Sequence, residues 1–162
     1  MKKKILISIV TYHASFRILT VLNKIKKINK RKDDFKILIS DDCSTDDTIA
    51  YINKIKFPKK IKVILNKKNL GYGANLKSCL SYALKKKFDY AIMIHGDDQY
   101  DAKYIPSMVK KLKEPNVHAV TGSRMQNKLG AIKGGMPIYK FIGNIALTKI
   151  FNILYKTNFT DC

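Results

Sequence analysis

The sequence predicts an α/β domain with a mostly parallel sheet flanked by helices. Three observations carry this. Apolar runs of strand length alternate with helical segments of about ten residues or more, the signature of successive βαβ units. Polar residues collect at the carboxyl ends of those runs, where ligands bind in open parallel sheets. And 162 residues with 46% hydrophobic content suffice for one domain with a substantial core.

The elements follow in order. "KILISIVT" (4–11) is almost continuously apolar, as a strand covered on both faces should be. "FRILTVLNKIKKINK" (16–30) places Ile18, Leu22, Ile25 and Ile28 at helical spacing, with its lysines on a solvated face. "FKILIS" (35–40) is a second strand, followed by "TIAYINKIK" (48–56), a helix capped by Thr45, Asp46 or Asp47. "KVILN" (62–66) is a third strand, and "NLGYGANLKSCLSYALKKK" (69–87) a helix opened by glycines. "YAIMIH" (90–95) is the fourth strand, "AKYIPSMVKKLKE" (102–114) a helix closed by Pro115, and "HAVTGSR" (118–124) a fifth strand. "AIKGGMP" (131–137) is a flexible basic loop. In "MPIYKFIGNIALTKIFNILYKTN" (136–158), Lys140, Asn144, Thr148, Asn152 and Lys156 recur every four residues. They draw a slowly winding polar stripe on a broadly apolar helix. Lys140 and Lys149 argue against a membrane span, leaving a core helix, a helix covering a neighbouring domain, or one lying in the membrane interface.

The formal charge is +20, from 32 Lys+Arg against 12 Asp+Glu. Only Arg17, Arg31 and Arg124 are arginine. Nucleic-acid readers lean on arginine for bidentate and stacking contacts and interleave aromatics with their basic residues, so this lysine excess disfavours nucleic acid as partner. A Lys, Ile and Asn surplus with little Arg also fits a compositional bias of the source genome; as physical charge it favours anionic surfaces, whether lipid headgroups or phosphates, at low ionic strength. Cys43, Cys79 and Cys162 are odd in number, form no CxxC pair, and fit a reducing compartment. The apolar run Ile5–Val10 is too short for a leader peptide and runs into Tyr12-His13 rather than a small-residue cleavage site.

Two acidic clusters need explaining in so basic a chain. In "SDDCSTDDT" (40–48) a turn with a helix cap accounts for Thr45 and Asp46, but Asp41 and Asp42 stand at a strand end, where a carboxylate can accept from a base N–H or ribose hydroxyls. In "HGDDQYD" (95–101) the hard oxygen ligands Asp and Gln suit Mg²⁺ or Mn²⁺ bridging a diphosphate. A turn, or a pair of hydrolytic carboxylates, is the competing account of this cluster, though adjacent residues do not oppose each other across a bond. His95 is either a core histidine or part of this site. "GSRM" (122–125) offers Arg124 as a phosphate clamp or a surface arginine, and Lys133 could meet an anionic group. Gly71 and Gly73 begin a GxGxxG pattern, but Leu76 replaces its third glycine, so a nicotinamide site is not indicated.

Taken in order, "VTYHA", "SDDCSTDDT", "NLGYGAN", "HGDDQYDAKYIP", "GSRM" and "KGGMPIYKFIGN" resemble a family 2 glycosyltransferase of GT-A fold, most closely the polyprenyl-phosphate group typified by dolichol-phosphate mannosyltransferase. The resemblance implies a UDP- or GDP-linked sugar across the strand ends, with Val10 and Tyr12 flanking the base and Ser40 and Asp42 on base or ribose. It places His95, Gly96 and Asp98 along the nucleotide-sugar. The family's Asp-x-Asp-x-Gln metal motif falls on His95, Asp97 and Gln99, so Mg²⁺ or Mn²⁺ rests on Asp97 and Gln99 with Asp98 a lesser partner. Arg124 holds the diphosphate, and Asp97 and Arg124 carry catalysis. A lipid-phosphate acceptor, already nucleophilic, meets Lys133 and Asp161 and displaces the nucleoside diphosphate with inversion. The implied location is cytoplasmic, peripheral at the inner face of the cytoplasmic membrane.

Three departures accompany the resemblance. Ala14 stands where the family commonly has Glu, and His95 replaces Asp. The chain also ends soon after Asp161, before the Asp-x-x-x-Gly-Phe/Tyr-Arg segment whose arginine meets the diphosphate. The expectation is therefore a nucleotide-sugar domain (1–135) followed by an interfacial helix and the start of a shortened catalytic segment (136–162), in a fragment where binding can outlast turnover. A nucleotidyltransferase, or a basic membrane-surface or nucleic-acid module without catalysis, stands as the alternative.

Overall fold

The computed structural model describes residues 3–28, 34–55, 61–123 and 125–161. Four strands, β1 (Lys4–Thr11), β2 (Asp34–Asp41), β3 (Ile61–Leu65) and β4 (Tyr90–His95), form one sheet in the order β3-β2-β1-β4, every pair parallel. Helices α1 (Arg17–Ile28), α2 (Thr48–Lys54) and α3 (Tyr72–Lys85) make the crossovers; a 3₁₀ turn (Ala102–Tyr104) leads into α4 (Ile105–Leu112) after β4.

The alternation of β1 explains the layers. Ile5, Ile7 and Ile9 point to one face and join Ile18, Leu22 and Ile25 of α1, Ile52 of α2, and Ile105 and Val109 of α4 in the larger core. Leu6 and Val10 point to the other and meet Leu38, Cys79 and Ala83, the last two from α3. Both faces of β1 are thus covered, which is why it reads as an unbroken apolar run. In the helix expected over 102–114, Pro106 sits in the first turn of α4, since its missing N–H is harmless only there.

The chain divides into two compact units, residues 1–117 and 118–162, so the segment expected from 136 onward lies inside the second. Three expectations change in that second unit. The fifth strand over 118–124 does not form among the described residues: 118–123 join no sheet ladder, Ala119 is exposed and Val120 only half-buried, so little burial compensates the ordering of a strand. Arg124 itself lies outside the described residues. The basic loop at 131–137 is partly helical instead, as α5 (Lys128–Lys133), with Asn127 Oδ1 accepting from Gly130 N at 2.9 Å as its cap.

The long helix forms as α6 (Ile138–Tyr155), and while Lys140 and Lys156 are exposed, the middle of its polar row, Asn144, Thr148 and Asn152, does not face solvent. Asn152 Nδ2 donates to Phe159 O at 2.8 Å, and its Oδ1 accepts from Phe159 N and Thr157 Oγ1. Asn144 Nδ2 donates to Asp161 Oδ1 at 2.7 Å, and Thr148 is buried. The middle of the row is turned against residues 157–161, and the opposite face, including Ile142 (61% exposed) and Ile153 (68%), is left apolar and open.

Candidate functional site

All four parallel strands end on the same edge, and backbone bonds continue the ladder past it: Asp42 N to Thr11 O, Asn66 N to Asp41 O and Gly96 N to Val10 O, each 2.9 Å. A cleft of about 250 Å³ opens at this edge. The end of β1 supplies Val10, Thr11 and Tyr12; the end of β4 supplies His95, Gly96 and Asp97. Asp42, Asn69, Gly71, Tyr72 and Asn75 complete the lining. The structure therefore brings together six residues singled out in the sequence: Val10, Tyr12, Asp42, His95, Gly96 and Asp97. Gly96 is required by proximity, since a Cβ there would lie 2.6 Å from Thr11 Oγ1 and 2.7 Å from Thr11 Cβ.

Asp42 is buried and heavily engaged. Its Oδ1 accepts from Asn66 Nδ2 (2.8 Å) and Leu70 N (2.9 Å), and its Oδ2 from Gly71 N (2.8 Å). That uses three of the roughly four acceptor positions of a carboxylate. Gly71, at φ 82, adopts the left-handed conformation this turn needs before α3. Ser40 is fully buried and donates its hydroxyl to Asn75 Oδ1; Asn75, held also by its Nδ2 on Ser40 O at 3.0 Å, is the member of the pair that lines the cleft. Asp41 closes a turn instead, accepting from Ser44 N at 2.8 Å and from Ser44 Oγ at 2.6 Å.

The loop after β1 is stitched to the loop after β2. His13 stacks on Tyr12 (centroids 3.9 Å, planes 20° apart), its N donates to Ser44 Oγ, and its Nε2 lies 3.0 Å from Thr45 Oγ1. Ser15 N donates to Thr48 Oγ1, which in turn donates to Asp46. Burial pushes the Asp46 carboxyl up, but the Thr48 hydroxyl and amide and the nearby His13 outweigh it and hold the carboxyl below its ordinary value. Tyr12 is left half exposed at the cleft mouth. Ala14 is buried in the larger core.

In the loop after β4, the neighbouring aspartates diverge. Asp97 lines the cleft, and its Oδ1 accepts from Gln99 N at 3.1 Å. Asp98 lies outside the lining, with both oxygens on Lys24 Nζ at 2.9–3.0 Å. Gln99 is exposed and also outside the lining. His95 sits between two tyrosines: Nε2 is 3.4 Å from Tyr72 Oη, and Tyr100 meets the ring edge-on at 4.9 Å. Among the described residues no group of three or more His, Cys, Asp or Glu side chains gathers as a metal cage. Lys133 ends α5, and Asp161 accepts from Asn144; both belong to the second unit.

Sequence reasoning missed Asn69 and Tyr72 as individual lining residues, and Asn75 as the contact in place of Ser40. The signal for Asn75 is a polar residue inside a helix otherwise packed on the sheet. Lys24 carries no signal in the sequence, because it is one lysine among several on a face read as solvated.

The sequence profile of glycosyl transferase family 2 matches residues 6–158. An uncharacterized protein of Methanocaldococcus jannaschii is 30% identical over 145 residues, covering 86% of this chain and 59% of its own length. A low-salt glycan biosynthesis hexosyltransferase of Haloferax volcanii is 26% identical over 101 residues, 61% of this chain and 23% of the relative. Among solved structures, a mannosyltransferase from Pyrobaculum calidifontis in complex with GDP-Man and Mn²⁺ superposes with a TM-score of 0.65 at 17% identity, over 82% of this chain and 39% of that one. The chain thus spans less than two thirds of each of these proteins, and the structural likeness establishes the GT-A fold.

Proposed function

Since the chain belongs to glycosyl transferase family 2, we propose that it moves a sugar from a nucleoside-diphosphate sugar, held at the strand-end cleft, to a polyprenyl-phosphate acceptor at the membrane. The observation that carries the donor reading is the placement of Tyr12, Asp42, His95 and Asp97 around one cleft at the carboxyl edge of a parallel sheet. Tyr12 offers an exposed ring for the base, backed by His13. Asp42 keeps the turn at 69–71 closed and has about one acceptor position left for the nucleoside. Arg124, together with Lys133 and Asp161 on the acceptor side, is assigned by the family pattern alone.

The donor set fits a cation held mainly by the substrate. Mg²⁺ and Mn²⁺ need oxygen ligands and are commonly bound through one or two carboxylates plus substrate phosphates. Asp97 supplies such a carboxylate: its Oδ2 makes no hydrogen bond among the described residues. Gln99 would be its neutral companion. The bound ion would neutralise charge on the departing diphosphate. The chain's own residues bind and orient: Tyr12 and Asp42 the nucleoside, His95 and Gly96 the adjoining atoms. An acceptor phosphate oxygen attacks the anomeric carbon as the bond to the nucleoside diphosphate breaks, inverting the configuration. No general base is required, because the nucleophile is already anionic.

Calorimetric titration of GDP, UDP and their sugar conjugates, with Mn²⁺ and then with EDTA, tests the donor reading. Metal-dependent binding of one nucleotide is expected, the mannosyltransferase with GDP-Man and Mn²⁺ making GDP the first to try. Failure of all of them to bind returns the chain to the basic-surface alternative.

α6 and the charge support a membrane-borne acceptor and a peripheral location; the cytoplasmic side is what the family resemblance implies. No helix among the described residues is long and apolar enough to cross a membrane. The open face of α6 carries Tyr139, Ile142, Ile150 and Ile153, all more than half exposed, within a chain of charge +20. An anionic bilayer surface complements both features. Ile142→Glu with Ile153→Glu should lower partitioning onto vesicles containing anionic lipid by about tenfold or more without changing the melting midpoint. Equal pelleting of parent and variant would count against the interfacial helix.

A further inference from the structure

The loop that presents Asp97 is gripped from α1. Lys24 Nζ donates to Asp98 Oδ1 at 3.0 Å and Oδ2 at 2.9 Å, and lies 3.5 Å from Asp101 Oδ1. Asp101 in turn accepts from Lys103 N at 3.0 Å and so caps the 3₁₀ turn. One lysine therefore ties together both ends of the tip at 98–101. Asp98 holds φ 64, a left-handed conformation that costs a residue with a Cβ some energy, least for Asp and Asn, and that contacts to its side chain can fix in place. Its side chain's hydrogen bonds among the described residues are those from Lys24. On the other side of the tip, Asp97 Oδ1 accepts from Gln99 N and makes a local turn that places the carboxylate in the cleft lining. Three aspartates stand within five residues here, and unpaired they would repel one another. With Lys24 compensating Asp98, and Lys103 Nζ at 3.1 Å joining it on Asp101, Asp97 is the carboxylate left to face the cleft.

We propose that Lys24 is a positioning residue for the donor site: by holding Asp98 and Asp101 it fixes the strained tip of the β4–α4 loop and thereby sets the direction of Asp97. The proposal rests on the donor reading of the cleft. It assigns Asp98 an indirect role, through Lys24 rather than through the ligand.

The test uses the full chain and four variants: Lys24→Met, which keeps length without charge, Lys24→Arg, Asp98→Asn, and Lys24→Met combined with Asp98→Asn. GDP and UDP are titrated with Mn²⁺ and with EDTA. Lys24→Met is expected to weaken the Mn²⁺-dependent affinity roughly five- to tenfold while the affinity in EDTA and the melting midpoint stay near the parent's, and Lys24→Arg to recover most of it. Asp98→Asn should reproduce Lys24→Met, and the double variant should be no weaker than either single one. Equal losses with and without Mn²⁺, or additive losses in the double variant, overturn the proposal. Amide hydrogen exchange at Gln99, read without ligand, separates this from the donor reading. Faster exchange in Lys24→Met than in Lys24→Arg upholds the grip even if the parent binds no nucleotide, and unchanged exchange overturns it.

Discussion

Asp97→Asn is expected to abolish the Mn²⁺-dependent part of nucleotide binding and to leave the fold intact. Asparagine keeps the local turn, because its side-chain oxygen still accepts from Gln99 N, the bond that Asp97 Oδ1 makes at 3.1 Å. What it removes is the negative charge, the property a hard cation selects. Outer-shell partners of a metal alone commonly cost roughly 10–100-fold when removed, so loss of the anchoring carboxylate should cost about 100-fold or more. The melting midpoint should hold, since Asp97 is only half-buried and makes no ion pair among the described residues. Titration in Mn²⁺ and in EDTA reads both halves of the prediction. A variant that binds as the parent does in Mn²⁺ would falsify the assignment of Asp97.

Asp42→Asn, although nearly isosteric, is expected to act mainly on stability. The Asp42 carboxylate takes three donors while 3% exposed. Whichever way an asparagine amide turns, its NH₂ meets at least one of those N–H groups instead of an acceptor. Leaving a buried donor unpaired costs about 1–3 kcal/mol, more where a charged partner is lost. A destabilisation of about 3 kcal/mol is the expected result, a fall on the order of 10 °C in the melting midpoint for a domain of this size. Because Asp42 holds Asn66, beyond the end of β3, and the turn before α3, nucleotide affinity should fall equally in Mn²⁺ and EDTA, unlike in Asp97→Asn. A melting midpoint within a degree of the parent's would show that the three bonds do not hold the edge together.

The two aspartates show where sequence reading stops. Both stand at the end of a strand beside polar neighbours, and both were read as ligand contacts. Asp42 also holds the fold together: its bonds reach Asn66, Leu70 and Gly71, some 24 to 29 residues away, and no local pattern announces partners at that distance. Asp97 and Asp98 are adjacent and chemically identical. The left-handed backbone at Asp98 turns one to Lys24 and leaves the other in the cleft. Ser40 and Asn75 exchange roles for a similar reason, since the residue on the strand is sealed by the one on the helix above it.

The sequence by itself determined the four parallel strands and their helices, because burial on both faces of a parallel sheet demands unbroken apolar runs, and because periods of two and 3.6 are local properties. It also determined at which edge the polar residues gather around a cleft, since strand ends are where polar residues have no core to fill. Tertiary structure decided the rest. It denied a strand to residues 118–123, whose apolar content is too slight to hold them to a sheet. It turned the middle of the polar row of α6 inward, where Asn144 and Asn152 find partners in residues 157–161 that helical spacing cannot foresee. And it chose one lysine from a basic face to grip the loop at 98–101, because an ion pair depends on where two side chains meet in space and leaves no trace in their spacing along the chain.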